Sequence, residues 1–126
     1  MKKPFLKINN EYFNAHNPLI IAEIGHNHQG SLKQCKELFF EAKNAGASAV
    51  KLQKRTNKDL YTKEAFNEIY NSENSFGKTY GQHREYLEFG KREYIELKKF
   101  AKKIGIIFFA TAFDVESADF LEKEIN

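Results

Sequence analysis

Residues 19–31 read LIIAEIGHNHQGS, and the fold turns on how this stretch is understood. Leu19 to Ile24 is a continuous apolar run broken only by Glu23 and closed by Gly25, the pattern of a β-strand covered on both faces. A carboxylate at the end of such a strand is costly unless something pairs with it or uses it. The run then breaks into a loop carrying His26, Asn27, His28 and Gly30.

Downstream, Ser31 and Gln34 have the S-x-x-Q spacing of a capping box, and Leu32, Cys35, Leu38, Phe39 and Ala42 recur at helical intervals up to Gly46. The spacing predicts a helix over 32–44, and Ala47 to Gln53 a second short strand. Residues 19–53 therefore form a strand, helix, strand unit with a right-handed crossover expected. Upstream, Phe5 to Phe13 alternates around Asn9 and Asn10, which predicts a small hairpin.

Residues 54–90 show no clean period, and NSENSFGKTYGQH is rich in turn formers. This is a long, partly helical insertion, the kind of excursion that usually carries function. Tyr94, Leu97, Phe100, Ala101 and Ile104 then make an amphipathic helix ended by Gly105, and Ile106 to Phe113 a third buried strand. Asp114 is placed to cap a third helix containing Val115, Ala118 and Leu121. Strand and helix thus alternate three times, an α/β pattern with a parallel sheet. Three parallel strands with helices on one side leave an apolar face and two edges uncovered, so the chain reads as part of a larger closed structure.

Composition narrows the function classes. With 126 residues, 41% hydrophobic and 14% aromatic, the chain has material for one globular core, and 12 Phe with 6 Tyr argue against disorder. Twenty basic residues against 17 acidic ones give a net charge of +3 spread along the sequence, too mild for nucleic-acid binding. No run approaches a membrane span, and the basic N-terminus lacks a signal-peptide core. The single Cys35 has no disulfide partner and suits a reducing compartment, so a cytoplasmic location is expected.

Alternation of side chains puts Ile21, Glu23 and Gly25 on one face of the first strand, Lys51 and Gln53 on one face of the second, and Phe109, Thr111 and Phe113 on one face of the third. The polar members fall at the C-terminal ends, where parallel α/β sheets place their sites. Glu23 and Lys51 are expected to be oppositely charged neighbours. A structural ion pair accounts for both residues as well as a site does. Gln53 and Thr111 add neutral hydrogen-bonding groups at the same level, and the cluster suits an anionic substrate. His26 and His28, two apart, suggest a metal pair, but the region offers too few further donors. Nucleotide-cradle and serine-hydrolase motifs are absent.

The blocks IIAEIGHNHQGSL, AGASAVKLQK, SFGKTYGQHREYLEF and GIIFFATAFD, in that order, closely resemble the N-terminal half of the sialic acid synthase family, over residues 19–121. The resemblance implies a (β/α)8 TIM barrel, of which this chain is the first three βα units with an N-terminal hairpin, the later strands and an antifreeze-like domain lying beyond residue 126. It implies condensation of phosphoenolpyruvate with an open-chain N-acylated amino sugar such as N-acetylmannosamine, releasing phosphate and forming a nine-carbon 2-keto acid. Pseudaminic, legionaminic and spore-coat polysaccharide synthases are alternatives within the family, and an inactive fragment that only associates with a partner is an alternative of another class.

Carried over by position, Glu23 matches the acidic residue that acts at the reacting carbons. Lys51 matches the phosphoenolpyruvate-contacting lysine, Gln53 the substrate-contacting glutamine, and Thr111 the threonine near the phosphoenolpyruvate carboxylate. His28 matches a supportive histidine. A divalent metal, Mn2+ or Mg2+, is implied with its ligands beyond residue 126, and a homodimer for the full-length protein. Where many relatives have T-P-F after the third strand, this chain has Thr111, Ala112 and Phe113, which removes a backbone constraint.

Overall fold

The computed structural model describes residues 5–125. Its elements run β1 (Leu6–Ile8), β2 (Glu11–Phe13), β3 (Ile21–Gly25), α1 (Leu32–Asn44), β4 (Ala49–Lys54), α2 (Asn57–Leu60), α3 (Lys63–Asn67), α4 (Tyr80–Leu87), α5 (Lys91–Ile104), β5 (Ile107–Ala112) and α6 (Val115–Ile125). β1 and β2 form the expected hairpin, pairing Leu6 with Phe13 and Ile8 with Glu11 around a turn in which Asn9 takes φ 52°. β3, β4 and β5 form a parallel sheet in that order, with β4 central. The fold is mixed α/β.

Strand alternation divides the sheet into two unlike faces. Ala22, Ile24, Val50, Leu52, Phe108 and Ala110 point toward α1, α5 and α6, where they meet Cys35, Phe39, Tyr94, Leu97 and Ala101 in one apolar cluster. Cys35, Phe39, Val50 and Leu97 are completely buried there, and burial pushes the Cys35 thiol up to about 12, so it serves as a small inert core residue. Lys36 of α1 reaches Glu96 of α5 at 2.8 Å, and Lys91 of α5 reaches Glu124 of α6 at 2.8 Å, tying the helix layer across its outer surface.

The opposite face differs from the expectation of a strand covered on both sides. Ile21 is 42% exposed, and Phe113, just past β5, is 44% exposed. α1, α5 and α6 pack against the other face, so these side chains lie outside the apolar cluster.

Helix ends follow their sequence signals with one change. Ser31 Oγ accepts from the Gln34 N–H at 3.2 Å, but the Gln34 amide does not return to Ser31; it donates to the Asn27 carbonyl at 3.0 Å. Half of the capping box is therefore spent on holding the loop after β3. At α5 only the other arm of such a box is made: Glu93 accepts from the Gly90 N–H at 3.1 Å, and Gly90 has no side chain to complete it. Asp114 caps α6 as expected, accepting from the Ser117 N–H at 2.7 Å, and it also accepts from the Thr56 N–H at 2.7 Å, which joins the loops after β4 and β5.

The insertion resolves into three short helices. α3 and α4 are joined by a bridge between Ile69 and Thr79, and His83 Nδ1 accepts from the Phe76 N–H at 3.2 Å. Tyr61, Tyr70 and Tyr80 pack edge to face at 5.2 to 5.4 Å, replacing the helical period that the sequence lacks with an aromatic cluster. The consequence is that α4 is held over the C-terminal ends of the strands.

Candidate active site

β3 and β4 pair so that Glu23 lies directly beside Lys51, and β4 and β5 so that Lys51 lies beside Phe109 and Gln53 beside Thr111. All five positions share the face turned away from the helices. Glu23 Oε2 meets Lys51 Nζ at 2.8 Å. The side chains are 43% and 30% exposed, so the pair sits on an open surface where both charges remain hydrated.

The register of β3 shifts between Glu23 and Gly25, and Gly25 takes φ 55°. That conformation suits glycine, and it lets two neighbours close over the bare Cα. A Cβ at Gly25 would lie 3.6 Å from Gln53 Nε2 and 3.6 Å from Glu23 Oε1. Carboxylate, ammonium and amide thus meet at the strand ends, with Thr111 beside Gln53 in register on the neighbouring strand.

His28 does not join them. It is 2% exposed, stacks on Phe89 with ring centroids 4.0 Å apart, and accepts at Nδ1 from the Gly30 N–H at 3.1 Å. Burial, reinforced by the neighbouring His26, lowers its pKa to about 4, so the ring is neutral near pH 7. Its role is to hold the loop from behind. Gly30 in the same loop takes φ 74°, and a Cβ there would come within 2.6 Å of the Tyr86 carbonyl oxygen, so the loop also needs its glycine to lie against α4.

A second polar group, not foreseen from the sequence, stands one step further along the strands. Glu88, following α4, accepts from Lys54 Nζ at 3.0 Å and from the Arg55 N–H at 3.2 Å, with His26 Nε2 at 3.4 Å from its other oxygen. Its side chain is 10% exposed. Burial alone would raise its pKa, but the contacts with His26, Lys54 and the Arg55 amide outweigh it and hold the carboxyl below its ordinary range. Arg55 Nη1 lies 2.9 Å and Arg84 Nη2 3.1 Å from His26 Nδ1. Guanidinium groups only donate, so Nδ1 must present its lone pair and the ring proton sits on Nε2, toward Glu88.

Arg55 also lies over the Phe113 ring, 3.8 Å from its centroid. One signal for this cluster was present in the sequence: Arg55 follows Lys51 and Gln53 at the same two-residue interval and so continues their face. Glu88 and Arg84 come from the aperiodic insertion and had no such signal.

A metal held by His26 and His28 is not supported. Their rings meet edge to face at 5.6 Å, and each Nδ1 already accepts from protein donors. Among the described residues no group of three or more His, Cys, Asp or Glu side chains is placed to hold a metal ion. The described residues therefore do not fit the divalent ion that the resemblance implies.

Residues 38–126 match the model of the NeuB family. The chain belongs to the NeuB family. It is 45% identical over 102 residues to the N-acetylneuraminate-9-phosphate synthase of Drosophila melanogaster, an alignment covering 81% of this chain and 27% of that protein. It is 38% identical over 103 residues to the N,N'-diacetyllegionaminic acid synthase of Legionella pneumophila, covering 81% of this chain and 29% of that one. Among solved structures, the N-acetylneuraminic acid (sialic acid) synthetase of Leptospira borgpetersenii in complex with citrate superposes with a TM-score of 0.72 at 31% identity, covering 96% of this chain and 38% of that one. This NeuB chain therefore spans about a third of the length of the relatives it matches. No described helix is long and apolar enough to cross a membrane.

Proposed function

We propose that this chain forms the first three βα units of a (β/α)8 barrel in a synthase that condenses phosphoenolpyruvate with an N-acylated amino sugar, giving a nonulosonic acid and phosphate. The 2.8 Å contact between Glu23 and Lys51 at the strand ends, with Gln53 and Thr111 at the next rung, carries this reading. A lysine ammonium offsets the charge of an incoming phosphate or carboxylate. When it does so, Glu23 loses its partner and becomes free to orient water or to stabilise cationic character developing at the enolpyruvate C2. Gln53 and Thr111 supply neutral hydrogen bonds that orient the substrate without adding charge. The ion pair is thus the resting arrangement of the site.

The open face supports the barrel reading. Ile21 and Phe113 are exposed where further strands would cover them. A divalent manganese or magnesium ion, a homodimeric assembly and a cytoplasmic location belong to the full-length protein in this proposal, with the metal ligands outside this chain. The same exposed face favours a second reading, in which the chain acts by associating with the remaining barrel strands as a separate partner. Co-purification of this chain with such a partner, and no catalytic single-chain product, would favour that reading.

The relatives differ in the acids their names carry, one of them a 9-phosphate, so the sugar is the open variable. The test is phosphate release by the full-length gene product with phosphoenolpyruvate and a panel of N-acyl amino sugars, including precursors of pseudaminic and legionaminic acids. Release dependent on one sugar is expected. No release with any of them would overturn the proposed reaction.

A further inference from the structure

His26, the first residue past β3, stands where three segments meet. Its Nδ1 receives Arg55 Nη1 at 2.9 Å from the residue beyond β4 and Arg84 Nη2 at 3.1 Å from α4, while its Nε2 lies 3.4 Å from Glu88 Oε2. An imidazole nitrogen has one in-plane lone pair, and a guanidinium only donates, so both arginines share that lone pair and can do so only while the ring is neutral. The Glu88 side is loose by comparison. A separation of 3.4 Å is longer than a well-made N–H···O bond, and both His26 Nε2 and Glu88 Oε2 are buried with no closer partner among the described residues.

The charges around the ring are set for two arrangements. Arg55 faces it from beyond β4, Arg84 and His83 from α4, Glu88 from the residue after α4, and His28 from its own loop with ring centroids 5.6 Å apart; Lys54 of β4 acts on it through its 3.0 Å contact with Glu88. A proton on Nδ1 replaces the shared lone pair with an N–H aimed at two guanidiniums, which breaks both contacts and gathers three like charges at one point. The same proton turns the loose Nε2 contact into a charge-assisted bond to Glu88.

The two guanidiniums are unequally anchored. Arg55 lies over the Phe113 ring, 3.8 Å from its centroid, and its backbone N–H is held by Glu88 at 3.2 Å. Arg84 has its Nε buried without a hydrogen-bond partner. Repulsion from a charged ring therefore falls on Arg84. We propose that His26 is an acid-released latch: its neutral ring ties α4 to the strand ends through Arg84, and its cationic ring turns to Glu88 and lets that arm go. Imidazole is the side chain that ordinarily changes charge between about pH 5 and 8. Because α4 stands over the C-terminal ends of the strands, its release loosens that cover as pH falls.

The experiment is hydrogen exchange followed by mass spectrometry on the full-length gene product at about pH 8 and about pH 5.5, corrected for the pH dependence of the exchange chemistry itself. Protection of residues 80–87 is expected to fall by roughly 10-fold at the lower pH, the value of one hydrogen bond to a charged group. His26→Gln keeps an acceptor for the arginines and cannot be charged, so its protection should be the same at both pH values. Arg84→Gln, which removes the repelled cation, should likewise show no pH dependence. His83→Gln should keep the fall, and His28, with its pKa near 4, stays neutral at both pH values. Equal protection of the wild type at the two pH values would overturn the latch, as would an undiminished fall in His26→Gln or in Arg84→Gln. A fall abolished by His83→Gln would also overturn it, assigning the response to His83. Exchange is read without turnover, so the outcome stands apart from the proposed condensation.

Discussion

Two charged clusters stand a few residues apart at the same end of one sheet, and they are built in opposite ways. Glu23 and Lys51 form a single contact on an open face, with 43% and 30% of their side chains exposed. Glu88 collects Lys54, the Arg55 amide and His26 at a site where it is 10% exposed. An open ion pair contributes little to stability because water competes for both charges. A buried carboxylate with several donors cannot be removed without stranding them. The first cluster is therefore free to exchange partners, and the second holds the loops in place around it.

The two clusters should differ most in activity. Glu23→Gln should lower kcat of the full-length gene product by roughly 10²- to 10⁴-fold, the range for removing a positioned acid–base or electrostatic group, while shifting stability by less than about 1 kcal/mol. Initial rates of phosphate release and a urea melt of the same variant check both halves. A large loss of stability would show that the pair is scaffold after all. Glu88→Gln reverses the pattern: leaving Lys54 with no carboxylate partner should cost about 3 to 5 kcal/mol in the same urea melt.

Acid sharpens the contrast further, because His28 lies behind the buried cluster. Its pKa is lowered from 6.5 to about 4 in the folded protein, so the unfolded chain binds a proton more readily. Stability from this group is intact above about pH 6.5 and is lost as pH falls toward 4, to a total of up to about 3 kcal/mol. Urea midpoints between pH 7 and 4 for the wild type and His28→Phe should converge as pH falls; parallel curves would remove His28 from the account. The smallest effect is at Asp114, whose carboxylate caps α6 and ties down Thr56. Asp114→Ala should cost about 1 to 2 kcal/mol by thermal melting.

How much of this was legible in the sequence depends on periodicity. β3, β4 and β5 were visible because apolar runs ended at glycine or polar residues, and the same alternation put Glu23, Lys51, Gln53 and Thr111 on one face. Long-range packing was not visible. Glu88 and Arg84 reach the strand ends only because the Tyr61, Tyr70 and Tyr80 cluster folds the insertion back, and no period marks that. His28 matched a family position, yet its neighbourhood is a Phe89 stack that adjacency in sequence does not reveal. Gln34 shows the same limit at short range: the capping spacing was right, but its amide found the Asn27 carbonyl instead.

In the proposed reaction the open cluster receives an anionic enolpyruvate through Lys51. Calorimetric titration of phosphoenolpyruvate into the full-length gene product and its Lys51→Ala variant tests it most directly. Binding weakened by roughly 10- to 100-fold with an unchanged melting temperature is expected. Equal affinity in the two proteins would contradict it.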